Sequence, residues 1–323
     1  MKFGTYLTGP FGQSQQLYQV RNEAKRGRAS TGTVSAQVLH DTRIVIDKQK
    51  EAKLSFIVDP MFRFYYLFQA LAENVRGVSA GPQENWFNNN AFYWRPRING
   101  PLAQQIGFTA EFLHFDLLPQ DGTAMAILPS PYTLLMLSDI TGYNNRRSAI
   151  IDLALLLNEE AKDLVKRGIA RIQYDEPAIV YKTSLGSIEK EDLELLRLAM
   201  ERCGTVQGAS TALHTYFGDS GSILSQLLDL PVDCIGIDMT ETSVDDVLKH
   251  KINEKELALG LLDSRSTAKV DPKELVETLR KVADCLCPKA LWITPNTGTE
   301  YRGWTYGMRA LDTLSQVVGG LNE

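Results

Sequence analysis

The sequence lacks long apolar runs. No window of its 323 residues reaches the roughly 18 uninterrupted apolar residues that a membrane-spanning helix needs. The opening MKFGTYLTGPFGQSQQ has polar and glycine residues where a secretory signal peptide has an apolar core. We therefore expect neither membrane insertion nor secretion, and this absence favours a cytoplasmic protein.

Concentrated positive charge is also absent. The chain has 34 Lys and Arg residues against 39 Asp and Glu residues, which gives a formal net charge of −5, and its basic residues cluster only in a short run at 25–28. An acidic chain without a basic face repels a polyphosphate backbone. We expect no nucleic-acid partner.

Cysteine and histidine are few and scattered. The four cysteines do not have the spacing of a disulfide framework, and they are Cys203, Cys234, Cys285 and Cys287. The segment HTYFGD, which begins at His214, offers no second His or Cys as a metal ligand. The sequence therefore predicts reduced cysteines and no metal site of its own.

Several nucleotide-binding and hydrolase motifs are missing. The chain has no GxGxxG after an apolar run, no GxxxxGK[ST], no HExxH and no GxSxG. These absences remove the simplest support for a dinucleotide-binding protein, a nucleoside triphosphatase, a zinc peptidase or a serine hydrolase.

Eight short apolar runs are present, and each ends in small, polar or acidic residues. They are Lys2–Tyr6, Leu54–Val58, Thr123–Leu128, Ile169–Tyr174, Thr211–Tyr216, Cys234–Met239, Leu257–Leu262 and Ala290–Thr294. Most are followed by a helical pattern, and alternation of strands and helices is typical of a parallel sheet. Eight such units predict an α/β fold with a single (β/α)8 barrel over residues 1–323.

One segment, at about residues 80–122, breaks this alternation. It is rich in aromatic, Asn and Arg residues and includes Trp86, Asn89 and Arg95. We interpret it as an extended insertion after the second strand, with a hairpin as one possible form. Its rings and cations could stack a flat ligand and hold an anion, or they could pack within the insertion.

Polar residues follow the predicted strands at the end where the loops of a barrel converge over the active site. They are Asp59, Ser130, Asp175 with Glu176, His214 with Tyr216, Asp238, Asp263 with Arg265, and Asn296 with Thr297. Among them, we predict Asp175 and His214 as catalytic, and Glu176, Tyr216, Asp238, Asp263 and Arg265 as substrate-binding residues.

The segment IQYDEPA carries the sharpest of these signals. Successive strand residues point to opposite sides, so only one of Asp175 and Glu176 is expected to face the mouth. Asp175 could bind a substrate ammonium or hold a proton, and its alternative role is to cap the following turn. His214 could act as a general base because its ordinary pKa lies near neutrality; its alternative is a buried, hydrogen-bonded histidine.

Several segments, in order, resemble cobalamin-independent methionine synthase. TALHTYFGD, LPVDCIGIDM and ENWFNNNAFYWRP are similar to its amino-terminal barrel, as are IQYDEPA and LLDSR, while LWITPNTGTEYRGW resembles the end of its catalytic barrel. The resemblance implies a barrel of that family, closest to the amino-terminal half. It also implies that Asp175 matches the acid that holds the homocysteine ammonium.

The family's catalytic half binds zinc, but the matching positions of this chain are Tyr216, Gly218, Asp238 and Thr297. Only Asp238 is an ordinary zinc ligand. The cations that hold the folate tail in the amino-terminal half are likewise replaced, by residues 15–18 and Asn85. The resemblance thus implies that zinc reaches this chain only through a partner chain or an atypical site.

Two main functions remain open from the sequence, and a third, weaker one is that of the related decarboxylases or corrinoid methyltransferases, against which the missing zinc ligands and the lack of an arginine cluster count. The first is a methionine synthase-like methyltransferase component, which transfers a methyl group from a methyl-folate or related donor to homocysteine with the help of a separate zinc-bearing barrel. The second is a non-catalytic binding or scaffolding barrel that has lost catalysis. For both main functions we expect a small-molecule ligand, either an amino acid or a pterin-like compound.

Overall fold

A computed structural model describes residues 1–87, 91–102, 107–252 and 254–321. The strands are β1 Lys2–Thr5, β2 Ile57–Val58, β3 Val78–Asn85, β4 Phe92–Ile98, β5 Ala124–Pro129, β6 Asp139–Ile140, β7 Arg171–Asp175, β8 Ser210–His214, β9 Cys234–Asp238, β10 Glu256–Leu262 and β11 Ala290–Pro295. The helices are α1 Gln15–Lys25, α2 Thr31–Glu51, α3 Gln69–Asn74, α4 Pro131–Leu137, α5 Arg146–Lys166, α6 Pro177–Ser184, α7 Lys190–Cys203, α8 Leu224–Leu228, α9 Val244–Leu248, α10 Pro272–Leu286 and α11 Gly303–Leu321.

Eight of the strands form one parallel sheet that curls into a barrel. Their order is β1, β11, β10, β9, β8, β7, β5 and β2. The two end strands meet, because the Ser55 amide just before β2 donates a hydrogen bond of 2.8 Å to the Thr5 carbonyl. Gly4 permits this approach, since a Cβ there would lie 2.0 Å from the Ser55 hydroxyl oxygen. The predicted barrel is confirmed, and each predicted apolar run contributes one strand.

The insertion after the second barrel strand contains a hairpin. Strands β3 and β4 pair antiparallel, and β4 pairs with β6 to complete a separate three-stranded sheet. The chain then returns to the barrel past α5, where Glu160 accepts hydrogen bonds from the amides of residues 107–109. The hairpin begins at Val78, two residues before the predicted start of the insertion.

Helix α10 illustrates how local sequence defines the outer ring. The Asp271 side chain accepts a hydrogen bond from the Lys273 amide, and Pro272 occupies the first helical position, where its missing amide proton costs nothing. Its apolar side chains recur at helical spacing and face the barrel. The helix ends at Cys287, whose left-handed backbone caps the last turn.

A buried arginine closes the amino end of the barrel. Arg171, at the start of β7, has no exposed surface and donates a hydrogen bond of 2.9 Å to Glu256 at the start of β10. Its guanidinium lies over the rings of Tyr6, Phe56 and Trp292 at 5.5, 4.6 and 5.6 Å. These side chains therefore fill the barrel interior at its amino end. Within the described ranges, no helix is both long enough and apolar enough to cross a membrane.

Candidate functional site

Asp175 lies at the carboxyl end of β7, at the mouth of the barrel. The Gln173 side-chain amide donates to one carboxyl oxygen at 2.7 Å, and the Tyr216 hydroxyl donates to the other at 3.3 Å. Removal from water raises the pKa of Asp175 to about 8, despite these two hydrogen bonds. Asp175 and Tyr216, both predicted site residues, are thus in direct contact.

Glu176 is turned away from Asp175 and begins α6. Its two carboxyl oxygens accept hydrogen bonds from the amides of Ile179 at 3.0 Å and Thr133 at 3.1 Å. Burial raises the pKa of this carboxyl to about 7. Glu176 therefore joins α4 to α6, and its role in substrate binding stays a prediction.

His214 is fully buried at the end of β8. Its Nε2–H donates to the Asn296 carbonyl at 2.8 Å, while Nδ1 faces Gly236, where a Cβ would lie only 2.0 Å away. Burial lowers the pKa of His214 to about 4, so the ring is neutral near pH 7. A catalytic role for this histidine stays a prediction.

Asp238 is the last residue of β9, and hydrogen-bond donors of the protein surround its carboxylate. It accepts hydrogen bonds from the Phe217 amide at 3.1 Å, the Thr240 hydroxyl at 2.6 Å and the Asn296 side chain at 3.2 Å. Such bonds organise the loops after β8, β9 and β11 around one acid. Its direct contact with a substrate stays a prediction.

Asp263 and Arg265 lie on the rim, after β10. Arg265 forms ion pairs with Glu241 at 2.8 Å and with Asp263 at 3.5 Å, and its guanidinium lies over the Phe217 ring at 5.4 Å. Their side chains are about 30% exposed, 29% for Arg265 and 32% for Asp263, so both remain accessible to a ligand.

The predicted ligand-binding residues of the hairpin have different surroundings. Trp86 packs against Phe68 and Tyr93, with ring centroids 6.1 and 5.6 Å apart, and it lines the mouth. Arg95 instead pairs with Glu84 of the same hairpin at 3.1 Å. Asn89, also a predicted ligand-binding residue, lies outside the described residues.

Two mouth residues were missed by the sequence analysis. Glu300 and Tyr301 follow β11 in the loop NTGTEYRGW, of which the sequence analysis selected only Asn296 and Thr297. Burial raises the pKa of Glu300 to about 8, and the neighbouring charge of Asp175 adds to the increase. The rule that strand-end loops converge would have found this acid if it had been applied beyond the first residues of the loop.

A cavity of about 690 Å³ opens beside these acids. Glu300, Tyr301 and Trp86 line it, together with rings from the loops after β1 and β2 and from the start of α11. A recess of about 40 Å³ that also contacts Trp86 leads to Asp175 and Tyr216. The mouth can therefore hold a small organic ligand against a pair of carboxyl groups.

The four positions that correspond to the family's zinc ligands do not fit a zinc ion. The Tyr216 hydroxyl is bonded to Asp175, and Gly218 has no room for a side chain because a Cβ would lie 2.3 Å from the Val180 carbonyl oxygen. Asp238 is already occupied by protein donors, and Thr297 offers only a hydroxyl. Across the residues that the structure describes, no group of three or more His, Cys, Asp and Glu side chains could hold a metal.

The family model for the cobalamin-independent synthase catalytic domain matches residues 3–319. The chain belongs to the cobalamin-independent methionine synthase family. This confirms the predicted family, although the matching model describes the catalytic domain and not the amino-terminal half that most of the motifs favoured.

Relatives of this family agree across almost the whole chain. Proteins named 5-methyltetrahydropteroyltriglutamate–homocysteine methyltransferase match from Thermotoga maritima, with 24% identity over 99% of the chain, and from Proteus mirabilis, with 23% identity over 99% of the chain. These alignments span only 45% and 43% of the two relatives. The chain thus covers less than half the length of these methionine synthases.

Solved structures of the family share the barrel. A protein from Listeria monocytogenes assigned as a vitamin-B12-independent methionine synthase has a TM-score of 0.76 at 18% identity, with 100% of this chain and 98% of that chain covered. A B12-independent methionine synthase from Shewanella, solved in complex with selenomethionine, has a TM-score of 0.69 at 19% identity, with 91% of each chain covered. These likenesses support the fold.

Proposed function

We propose that this chain is a methionine synthase-like methyltransferase component. It binds the amino acid of the reaction, homocysteine or methionine, at the mouth of the barrel, and the methyl group comes from a methyl-folate or related donor. A separate zinc-bearing barrel completes the site. The four cysteines are free thiols, which is consistent with a protein of the cytoplasm, a reducing compartment.

The position of Asp175 carries this proposal. The family resemblance assigns this acid to the homocysteine ammonium, and here the acid lies beside a cavity without an ion-pair partner among the described residues. Gln173 and Tyr216 fix its orientation through hydrogen bonds. A bound ammonium group would stabilise the charged form of Asp175, whose pKa removal from water raises.

The need for a second barrel follows from the chemistry of the acceptor. A thiol becomes a strong nucleophile as the thiolate, which zinc stabilises. Because the family's ligand positions are filled here by Tyr216, Gly218 and Thr297, this chain does not provide the ion. The relatives are more than twice as long as the matched region, which leaves room in them for a second barrel.

Isothermal titration calorimetry with homocysteine and methionine tests the ligand site. We expect saturable binding to the wild type and a loss of at least about tenfold in affinity for Asp175→Asn, because a charge-assisted hydrogen bond is removed. Asp312→Asn, at an exposed position of α11, is the matched control and should bind normally. No heat with either amino acid or with methyl-folates, together with no zinc-barrel partner on co-purification, would refute the proposal.

A non-catalytic binding or scaffolding barrel is the second candidate. The crowded backbone at Gly218, which excludes any ligand side chain there, favours it. Methyl transfer assays of the purified chain, alone and with a zinc-bearing barrel, distinguish the two functions. Transfer that requires this chain supports the methyltransferase component, whereas unchanged transfer in its absence supports the scaffold.

A further inference from the structure

The large cavity at the mouth has aromatic walls. Phe11, from the loop after β1, packs edge-on against Phe62 and Trp304, with ring centroids 6.4 and 5.7 Å apart. These three rings line the cavity as one cluster, and the hairpin residues Trp86 and Tyr93 line it as another. The loops after β1, β2 and β11 and the hairpin therefore each contribute aromatic rings to the same space.

Glu300 and Asp175 are acids of this cavity and its recess, and a bound cation would stabilise their charged forms. Glu300 lines the cavity, and its Oε2 atom is buried with no hydrogen-bond partner in the part of the chain that the structure describes. The lining contains the cation Arg302, but its guanidinium is engaged by the Arg265 carbonyl. Asp175, at the adjoining recess, adds a second acid. No described lysine or arginine forms an ion pair with either carboxylate.

These features discriminate between classes of ligand. An anion would be repelled by the charged forms of the two acids, and a neutral apolar ligand would leave these charged forms without a counter-charge. A primary ammonium needs acceptors for three N–H groups, whereas about half of the residues that line the cavity are aromatic. An alkylated cation needs no hydrogen-bond acceptor, and the faces of aromatic rings attract it.

We propose that this cavity binds an alkylated onium ion, a quaternary ammonium or a tertiary sulfonium. Its alkyl groups contact the partly exposed rings of Tyr66, Tyr301 and Trp304, and Glu300 is the counter-ion. This ligand class goes beyond the proposed function, because its binding requires neither a methyl transfer nor a zinc-bearing partner.

A pair of ligands of equal shape provides the first test. Choline and its neutral isostere, in which carbon replaces the nitrogen, are titrated into the wild-type chain by calorimetry, with tetramethylammonium as a third ligand. We expect saturable binding of both cations. Affinity for the isostere should be lower by at least about tenfold, since cation–π attraction in a desolvated site is lost.

Variants locate the bound cation. Glu300→Gln and Trp304→Leu should each weaken choline binding by about tenfold or more, because one removes the counter-ion and the other an aromatic face. Glu277→Gln, at an exposed position of α10, is the matched control and should bind choline as the wild type does. Thermal unfolding of each variant establishes that it is folded, and the ligand pair decides the matter if Glu300→Gln does not fold.

Three outcomes overturn this inference. They are equal binding of choline and its isostere, unchanged binding by Glu300→Gln, and binding of methyl-folates or homocysteine without any binding of an onium ion. The last outcome leaves the proposed function intact. Conversely, onium binding without binding of homocysteine or methionine supports the inference and removes support for the proposed function.

Discussion

Glu300 lies in a loop and is only partly exposed to solvent. Its carboxyl group loses hydration, and the nearby Asp175 charge disfavours a second negative charge, so the pKa of Glu300 rises to about 8. In the unfolded chain the same carboxyl titrates near its ordinary value of 4.5. The free energy of unfolding therefore depends on whether the Glu300 carboxyl group is protonated.

The coupling predicts a pH dependence of stability. Between about pH 4.5 and pH 8 the folded chain keeps the Glu300 proton and the unfolded chain loses it. The stabilisation is complete below this window and is lost as pH rises through it, with a slope of at most about 1.4 kcal/mol per pH unit. Glu300→Gln removes this slope, so the variant should gain stability relative to the wild type as pH rises. Urea unfolding at several pH values measures the difference.

Other titratable groups also contribute to the dependence of stability on pH. The contribution of Glu300 is therefore measured by comparing variants with the wild type. The raised pKa of Asp175 acts in the same direction, whereas the lowered pKa of His214 makes stability rise with pH between about 4 and 6.5. Glu277→Gln, which changes an exposed acid, should keep the wild-type curve. Parallel curves for Glu300→Gln and the wild type would contradict a buried, protonated Glu300.

At the scale of single residues, the sequence was informative where the position of a residue along a strand determines where its side chain lies. Asp175 could be placed at the mouth because it directly ends an apolar run, whereas Glu176 lies after β7 and begins α6, so strand alternation does not determine its direction. The sequence could not reveal the cavity rings such as Phe11 and Trp304. Their contact depends on how distant loops fold over the barrel, and nothing in their local sequence distinguishes them from core aromatics.

At the scale of elements, the eight strands could be predicted because a parallel barrel buries both faces of each strand. Each therefore reads as a short apolar run that stops at a polar residue. The insertion was recognised by the break in this rhythm. The link between the insertion and α5 was not, because Glu160 stands among the charged residues of NEEAKD and looks like part of a solvent-exposed helix face.

Glu160 offers a test of how α5 holds the end of the insertion. Its carboxylate accepts hydrogen bonds from the amides of Gly107, Phe108 and Thr109 at 2.8, 3.0 and 2.8 Å. Glu160→Gln replaces one acceptor oxygen with an NH2 group, so at least one buried amide loses its partner. We expect a loss of about 1–3 kcal/mol in the free energy of unfolding. Hydrogen exchange should accelerate at residues 107–115.

The neighbouring acid is a matched control for this prediction. Glu159 forms an ion pair with Lys162 on the surface of the same helix, at 2.7 Å. Such pairs contribute little, so Glu159→Gln should change stability by less than about 1 kcal/mol. Equal effects of the two substitutions on hydrogen exchange would show that α5 does not hold the insertion through Glu160.

At the scale of the whole molecule, the barrel has two chemically different ends. The mouth collects acids and aromatic rings around open space, while the amino end is sealed by Arg171 and the side chains around it. Trp292 donates a hydrogen bond of 2.9 Å to the same Glu256 oxygen that Arg171 binds. The plug therefore joins β7, β10 and β11 across the barrel interior.

Arg171→Met should show how much this plug stabilises the barrel. Methionine fills much of the space but leaves Glu256 without its cation, and removal of one partner from a buried pair costs about 3–5 kcal/mol. We expect the free energy of unfolding in urea to fall by about 3 kcal/mol, near the lower limit because the Glu256 side chain is 14% exposed.

The double variant Arg171→Met/Glu256→Gln separates the lost pair from lost packing. A neutral glutamine at 256 can still accept the Trp292 hydrogen bond, and it no longer places an uncompensated charge in the barrel. The double variant should therefore be more stable than Arg171→Met alone. Arg197→Met, which removes an exposed ion pair with Glu201, controls for the loss of an arginine and should have an effect below about 1 kcal/mol. If the double variant is no more stable than the single one, then packing of the guanidinium against the three rings, and not the ion pair, seals this end of the barrel.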